Sequence, residues 1–362
     1  MYKLYDILCL GEWASVCMKY GITDLPYQPE YLKLWEINGD GKATLFFYED
    51  TCGIVLYPFL IRSLDTLAFI SKEMSKDNYD ITTPYGYGGP LVKAYDSSKT
   101  DLLVANFQLE FLDFCKGNNI VSEFVRFHPL LENHKYFLNY LNIETANYVV
   151  YVDLSLSEEQ IWKNYEYNNQ KNIKKAIRMG VEIIIDTNLD YMDEFIEVYY
   201  HTMQRENAKN YYFFSKEFFE FLYLYLRNNA IIFLSKIENK MVSVELALYD
   251  NTVIYSFLGG TLEEYFPFRP NNILKHELIL WAKKRNIKYY LLGGGYLPND
   301  GIFRYKRSFA KNGVKDFYIG KKIHDIGKYT RFEEAFNSNF IKLYPHINPA
   351  QIKYFPIYRF TP

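Results

Sequence analysis

The sequence predicts an α/β protein of α+β type with a mixed sheet, folded as two domains, and three observations carry that prediction. The chain of 362 residues is too long for one ordinary core. Strand-like and helix-like segments alternate through both halves. In the second half, strands joined by two- or three-residue turns are followed by a crossover helix and a parallel return, which indicates a mixed sheet and excludes a doubly wound parallel one. With 49% apolar residues, including 36 Tyr and 28 Phe, burial is ample and wholesale disorder is excluded. The boundaries fall at 1–150 and 151–330, leaving 331–362 as a tail expected to wrap the body.

The first half opens with a hairpin, Ala43–Glu49 and Ile54–Ile61, around the turn residues Asp50 to Gly53. The stretch Thr82–Pro90 has three glycines and two prolines, so it cannot be helical and reads as a binding loop or a buried turn. A helix over Leu102–Cys115 and a strand over Ile120–Phe127 follow. After a strand at Tyr148–Leu154, Ser157 and Gln160 have the spacing of a capping box. The helix it opens runs to Gly180 and places Lys171, Lys174, Lys175 and Arg178 on one face, either as a solvated surface or as a contact for phosphate. Strand Val181–Ile185, helices near 191–206 and 216–228, and strands Ile231–Ile237, Val242–Tyr249 and Val253–Leu258 come next. Helix Asn271–Lys284, strand Lys288–Leu292, a glycine cluster, a short helix near Phe303–Ala310 and a strand at Lys315–Ile319 complete the series.

Several chemistries lack their minimum equipment. No G-x-x-x-x-G-K-[ST] loop is present, and Gly293-Gly294-Gly295 does not continue as a dinucleotide fingerprint. His276-Glu277 begins like a zinc-protease helix, but Leu280 stands where the second histidine is required. No G-x-S-x-G elbow exists. A net charge of −2 supplies no global field for nucleic acid. The longest apolar runs, such as Ile54–Ile61, fall far short of the ~18 residues that span a bilayer, and Met1–Leu10 lacks the build of a signal peptide. Cys9, Cys17, Cys52 and Cys115 have no paired-ligand spacing. The expectation is a soluble cytoplasmic chain with reduced thiols and no metal.

Four stretches together resemble the FemABX family of the GNAT acyltransferase superfamily. They are Pro84–Pro90; Asn172-Ile173-Lys174-Lys175-Ala176 running to Gly180-Val181; Tyr199–Ala208 followed by Tyr212-Phe213-Phe214; and Gly293-Gly294-Gly295 through Asp300–Phe309. The last is the most specific, being similar to the family's glycine cluster and Phe-Lys-x-x-Phe ending. The resemblance covers roughly residues 40 to 320. It implies two tandem GNAT-like subdomains, an acyl donor and a nucleotide- or lipid-linked amino-sugar or peptide acceptor of the cell envelope. Two family features are missing: a long helical arm associated with tRNA, and the Q/R-x-x-G-x-G/A pyrophosphate loop. The first counts against aminoacyl-tRNA and the second against coenzyme A, so the donor stays open between acyl-CoA, the simplest co-substrate, and aminoacyl-tRNA, and the chain is expected to be a monomer or weak dimer.

The resemblance and the residues' own sequence context together nominate site residues. Lys306 matches the family lysine and would stabilise a tetrahedral oxyanion or a donor phosphate, against the reading of a surface lysine. Arg205 would grip an acceptor phosphate or pair along its helix. Tyr85 and Tyr87 would contact the acceptor or simply pack. Glu245, inside an apolar run, is either an outward edge charge or a general base, and Asp300 is either a second base or a helix cap. Arg269, Asn271 and Asn272 stand at the strand-to-helix junction where donor phosphate would bind.

Overall fold

The computed structural model describes residues 2–362. Contacts divide the chain into two units, one of residues 1–22, 26–146 and 317–362, the other of 23–25 and 147–316. The first unit is therefore discontinuous, with the second inserted into it.

In the first unit, β1 (Tyr2–Asp6), α1 (Leu10–Lys19) and α2 (Pro29–Ile37) precede the expected hairpin of β2 (Lys42–Asp50) and β3 (Gly53–Ser63). Then come α3 (Lys72–Ser75), β4 (Tyr79–Thr82), β5 (Leu91–Ala94), α4 (Thr100–Gly117) and β6 (Ile120–Arg126). The strands lie in the order β1-β2-β3-β4-β6, with β5 also on β3; β4 and β6 are parallel and the other pairs antiparallel. Helix α4 supplies the crossover. Phe107, Phe111 and Phe114 recur at helical spacing and meet Phe46 with ring centroids 5.7, 5.2 and 5.4 Å away. Burial of each such ring contributes roughly 2–3 kcal/mol.

The chain enters the second unit within β7 (Asn142–Asp153). There follow α5 (Glu158–Asn164), α6 (Tyr167–Arg178), β8 (Glu182–Asp186), α7 (Met192–Arg205), α8 (Lys216–Tyr225), β9 (Ala230–Ile237), β10 (Lys240–Tyr249), β11 (Val253–Thr261), α9 (Pro270–Lys284), β12 (Tyr289–Gly293) and α10 (Gly301–Arg307). The expected capping box is present: Ser157 Oγ accepts from the Gln160 amide at 3.2 Å and Gln160 Oε1 from the Ser157 amide at 2.9 Å. Strand order is β7-β12-β11-β10-β9-β8, again with a single parallel pair, β11 with β12, bridged by a helix, α9. The mixed sheet expected from sequence thus appears in both units, each with one parallel step. Ile173 and Ala176 of α6 and Leu274, Leu278 and Ile279 of α9 fill one core with Val150, Phe233 and Leu292.

Strand β13 (Val314–Ile323) returns the chain to the first unit, where Ile319–Ile323 pair antiparallel with β6. The tail is more regular than expected. It contains an 18-residue helix, α11 (Ile326–Leu343), because Phe332, Phe336 and Phe340 recur every four residues and bury against Leu64, Phe69 and Val121. Beyond it, Arg359 Nε donates to Asp80 Oδ2 at 2.7 Å while Arg62 Nε donates to Oδ1 at 2.6 Å, so one fully buried carboxylate joins two arginines.

Candidate active site

The glycine cluster is a packing requirement before it is anything else. Gly293 ends β12 with φ 77°, a conformation that side chains disfavour. A Cβ on Gly294 would lie 2.5 Å from the Tyr148 carbonyl oxygen, and one on Gly295 would lie 2.1 Å from Asp300 Oδ1. Asp300 caps α10, accepting from the Phe303 amide at 2.7 Å, and also gathers the amides of Tyr296 and Leu297 at 2.6 and 2.9 Å. These N–H groups hold its carboxyl below the usual range. The reading of Asp300 as a second base is corrected: it is the cap, and its proton affinity is moved the wrong way for a base.

Lys306, on α10, donates from Nζ to the Gly294 carbonyl at 2.7 Å. The residue keeps part of its surface in solvent. The atoms crowded round its ammonium nevertheless lower the pKa to about 8; burial acts first and the like charge of Lys275 second, against Glu245 and Asp300, which favour the charged form. Near neutrality the group is mostly, but not wholly, an ammonium.

Beside Lys306 the sheet opens. The parallel ladder of β11 and β12 consists of Val253–Tyr289, Ile254–Tyr290 and Tyr255–Leu291. Strand β11 continues to Thr261 still paired with β10, but among the described residues its other edge has no strand partner after Tyr255. Phe257 is the extra residue of a bulge here, since Leu246 faces Leu258 while Ala247 faces Ser256. No strand covers this edge, and at its far end the Thr261 amide donates to Thr202 Oγ1 at 3.0 Å.

At the root of this fork sits Glu245, only 4% exposed, so the expectation of an outward edge charge is corrected. Its carboxylate accepts from Lys275 Nζ at 2.5 Å, from Ser256 Oγ at 2.7 Å and from the Tyr290 hydroxyl. Lys275 Nζ also lies 3.3 Å from both Ser256 Oγ and the Tyr290 hydroxyl. A carboxylate with this many donors is built to hold a geometry, and a role for it as general base would require the network to break. The Tyr305 hydroxyl donates to the Asn271 carbonyl at 3.1 Å, tying α10 to the first turn of α9 one turn before Lys275.

At the head of α9, Arg269 adopts a left-handed conformation (φ 61°) and is exposed, and Pro270 takes the first helical position. Asn271 is half-buried. Asn272 is corrected as a donor ligand: it is buried on the side of α9 that meets α6, and its Nδ2 donates to Asn169 Oδ1 at 2.8 Å. Arg205 is likewise engaged. Nη1 donates to the Thr261 carbonyl at 2.7 Å, Nη2 pairs with Glu206 at 2.7 Å, and the guanidinium lies 5.0 Å from the Phe266 ring centroid. It secures the end of β11, where Gly260 admits α7 so closely that a Cβ would stand 2.6 Å from Thr202 Oγ1.

Tyr85 and Tyr87 belong to the first unit. The loop that carries them is fixed by Asn133 Nδ2, which donates to the Gly88 and Pro90 carbonyls at 2.9 and 3.1 Å. Tyr87 packs its ring 5.7 Å from His128 and 5.5 Å from Phe317, and burial raises its pKa. Tyr85 is 45% exposed with its ring 5.6 Å from that of Trp35. The structure therefore groups Lys306, Glu245, Asp300, Arg269, Asn271, Asn272 and Arg205 within the second unit. Sequence reasoning missed Lys275, Ser256 and Tyr290. A signal existed: Lys275 is a lone cation on the apolar stripe of Leu278, Ile279 and Ala282, just as Glu245 is a lone anion in an apolar strand.

Residues 163–307, which span this whole arrangement, match the family model of the acetyltransferase (GNAT) domain. The solved structure of FemX superposes with a TM-score of 0.67 at 10% identity, over 91% of this chain and 99% of that one. Over residues 163–307 the chain is similar to GNAT acetyltransferase domains, and it shares its fold with FemX. The same fold occurs in L-PGS from Bacillus licheniformis (TM-score 0.53, 13% identity, 86% of this chain and 91% of that one). It occurs also in the C-terminal domain of a provisionally assigned lysylphosphatidylglycerol synthetase from Agrobacterium fabrum (0.54, 11%, 86% and 91%). Among curated proteins none matches the sequence. The GNAT match runs from the end of α5 to the end of α10 and so contains the fork, the buried network and Lys306. Among the described residues no helix is long and apolar enough to cross a membrane, and no cluster of His, Cys, Asp or Glu could hold a metal ion.

Proposed function

We propose that the protein is an N-acyltransferase that moves an acyl group from a coenzyme A thioester to an amine of a cell-envelope sugar or peptidoglycan precursor. The observation that supports this reading most is the open edge of β11 beyond Tyr255, with the Lys306 ammonium beside it, inside a stretch matching a GNAT domain. The strand edge there, which no other strand covers, suits the amide groups of an extended donor arm, and the head of α9 with exposed Arg269 suits its phosphates. In the reaction the acceptor nitrogen attacks the thioester carbonyl carbon, forming the C–N bond and an oxyanion. Collapse breaks the C–S bond, the sulfur leaves as thiolate, and the proton released from nitrogen accounts for the thiol formed. Lys306 supplies positive charge to the oxyanion, and the Glu245–Lys275–Tyr290–Ser256 network keeps the fork in shape.

Aminoacyl-tRNA is the alternative donor, favoured by the fold shared with a domain named for lysylphosphatidylglycerol synthesis. Thermal-shift and calorimetric titrations with acetyl-CoA and with charged tRNA, each at two salt concentrations, separate the two. Saturable stabilisation by the thioester supports the proposal; tRNA binding that collapses with salt, with no thioester response, replaces it by the alternative. Lys306→Ala should abolish thiol release by about 10²–10³-fold in a folded protein. Unchanged turnover would remove Lys306 from the mechanism, and a chain that binds precursor without turnover would be a scaffold protein.

A further inference from the structure

The basic helix noted in the sequence is not used by the acyl-transfer site, and its surroundings show what it fits. Ile173 and Ala176 anchor α6 in the core, while Tyr167, Lys171, Lys174 and Arg178 follow one another at three- and four-residue spacing along the outer face. Lys171, Lys174 and Arg178 are exposed and Lys175 half-buried, and among the described residues no ion pair engages any of the four. Of the acids just before the helix, Glu159 pairs with Lys163 and Glu166 with Arg307 at 3.3 Å, while exposed Glu158 acts on His276. From Tyr167 to Val181 there is no acidic residue, and the next is Glu182. Four uncompensated cations on one helix stand out in a chain whose net charge is −2.

Apolar groups are interleaved with these charges. Tyr167 is 68% exposed, Ile177 58% and Met179 40%, although α6 has a core on its other side in which to bury them. Cations and aliphatic groups together on the solvent side of a helix have the composition that lies in a lipid headgroup layer, the apolar groups entering the acyl boundary and the cations meeting lipid phosphates. Nucleic acid is the poorer match. It favours open aromatic platforms and guanidinium groups. Here the single exposed ring, Tyr167, has the Lys171 ammonium 4.4 Å from its centroid, only one of the four cations is an arginine, and Ile177 and Met179 would have no counterpart on a phosphate backbone.

We infer that the outer face of α6, through Lys171, Lys174, Arg178, Ile177 and Met179, docks the protein on an anionic phospholipid surface, so that its acceptor is met at the membrane. This deepens the proposed function by choosing a lipid-linked acceptor over a soluble nucleotide-linked one, and it rests on that reading. The test uses the full chain and vesicles of phosphatidylcholine alone or with about 30% phosphatidylglycerol, read by flotation at low and high salt. Binding to the phosphatidylglycerol vesicles alone is expected, weakening with salt. Partitioning should fall about fivefold for each cation removed, and hence by more than about a hundredfold in K171E/K174E/R178E, where three anions are added as well. The milder K171Q/K174Q serves if the triple variant does not fold; it should lose about 25-fold. Equal binding to both vesicle types, no binding, or unchanged binding by a folded variant would overturn the inference, as would binding of tRNA in preference to vesicles. The acetyl-CoA thermal shift, run on the same variants, keeps the two claims apart: vesicle binding lost with the thioester response intact supports docking by α6 without touching the acyl-transfer site.

Discussion

Replacing Lys275 by Met tests the buried network and Lys306 in one experiment. The side chain is 9% exposed and its ammonium lies 2.5 Å from a Glu245 carboxylate that is 6% exposed. Removing one partner of such a buried pair leaves an uncompensated charge and costs about 3–5 kcal/mol. At about 2–4 °C per kcal/mol for a unit of this size, the melting midpoint should drop by roughly 6–20 °C. The electrostatic consequence has a definite sign. Lys275 disfavours the charged form of Lys306 and Glu245 favours it. Deleting Lys275 both lifts a repulsion and leaves the Glu245 attraction less offset, so the Lys306 pKa should rise from about 8 toward the ordinary lysine range; Glu245→Gln should lower it further. Competitive acetylation of lysines across pH, read residue by residue by mass spectrometry, measures that pKa without knowledge of the acceptor. An unchanged midpoint in K275M, or shifts of the same sign in K275M and E245Q, would refute the reasoning.

Gly295→Ala would push Cβ into Asp300 Oδ1 and dislodge the α10 cap, costing about 1–2 kcal/mol by chemical denaturation and raising the Lys306 reactivity as the loop loosens. His128 is buried and held neutral, with a pKa pushed down by burial to about 3 from 6.5, and its Nδ1 accepts from the Leu130 and Leu131 amides at 3.2 Å. Below pH 6.5 the unfolded chain binds the proton that the native one refuses, so stability should fall on acidification toward pH 3 by up to about 1.4 kcal/mol per unit; His128→Asn should flatten that slope in urea titrations run at successive pH values. Asp80→Ala strands Arg62 and Arg359 and should cost about 3–5 kcal/mol, seen as faster proteolytic trimming of the chain beyond β13.

Much of the fold was legible because local chemistry and tertiary outcome agree. The β2–β3 hairpin, the Ser157 capping box and the apolar periodicity of α9 each follow from residues a few positions apart. Strand β4 was hidden because it is short and its Asp80 carboxylate is stabilised by arginines distant in sequence, one of them in the tail. The surroundings of Lys306 were legible because it stands behind a local motif, the glycine cluster whose Gly294 carbonyl its ammonium meets. The site was not legible where the function of a side chain is set by a partner from another element. Glu245 read as an edge charge because Lys275, Ser256 and Tyr290 come from α9, β11 and β12, and Asn272 read as a phosphate ligand because Asn169 is on α6.

The clasp of Asp80 by Arg62 and Arg359 has a consequence for how the chain matures. Strand β6 gains its second neighbour only from Ile319–Ile323, and Asp80 gains its second cation only at Arg359, whereas β8 to β12 of the inserted unit have all been made by Gly293. During synthesis the first unit to emerge is thus the last to close. At about 5–20 residues per second, the sheet edge of β6 and the half-paired Asp80 wait many seconds for chain made after the acyltransferase-like unit has already been able to fold. A nascent chain arrested near Asp316 should therefore show a protease-resistant second unit and a first unit that is still open to cleavage.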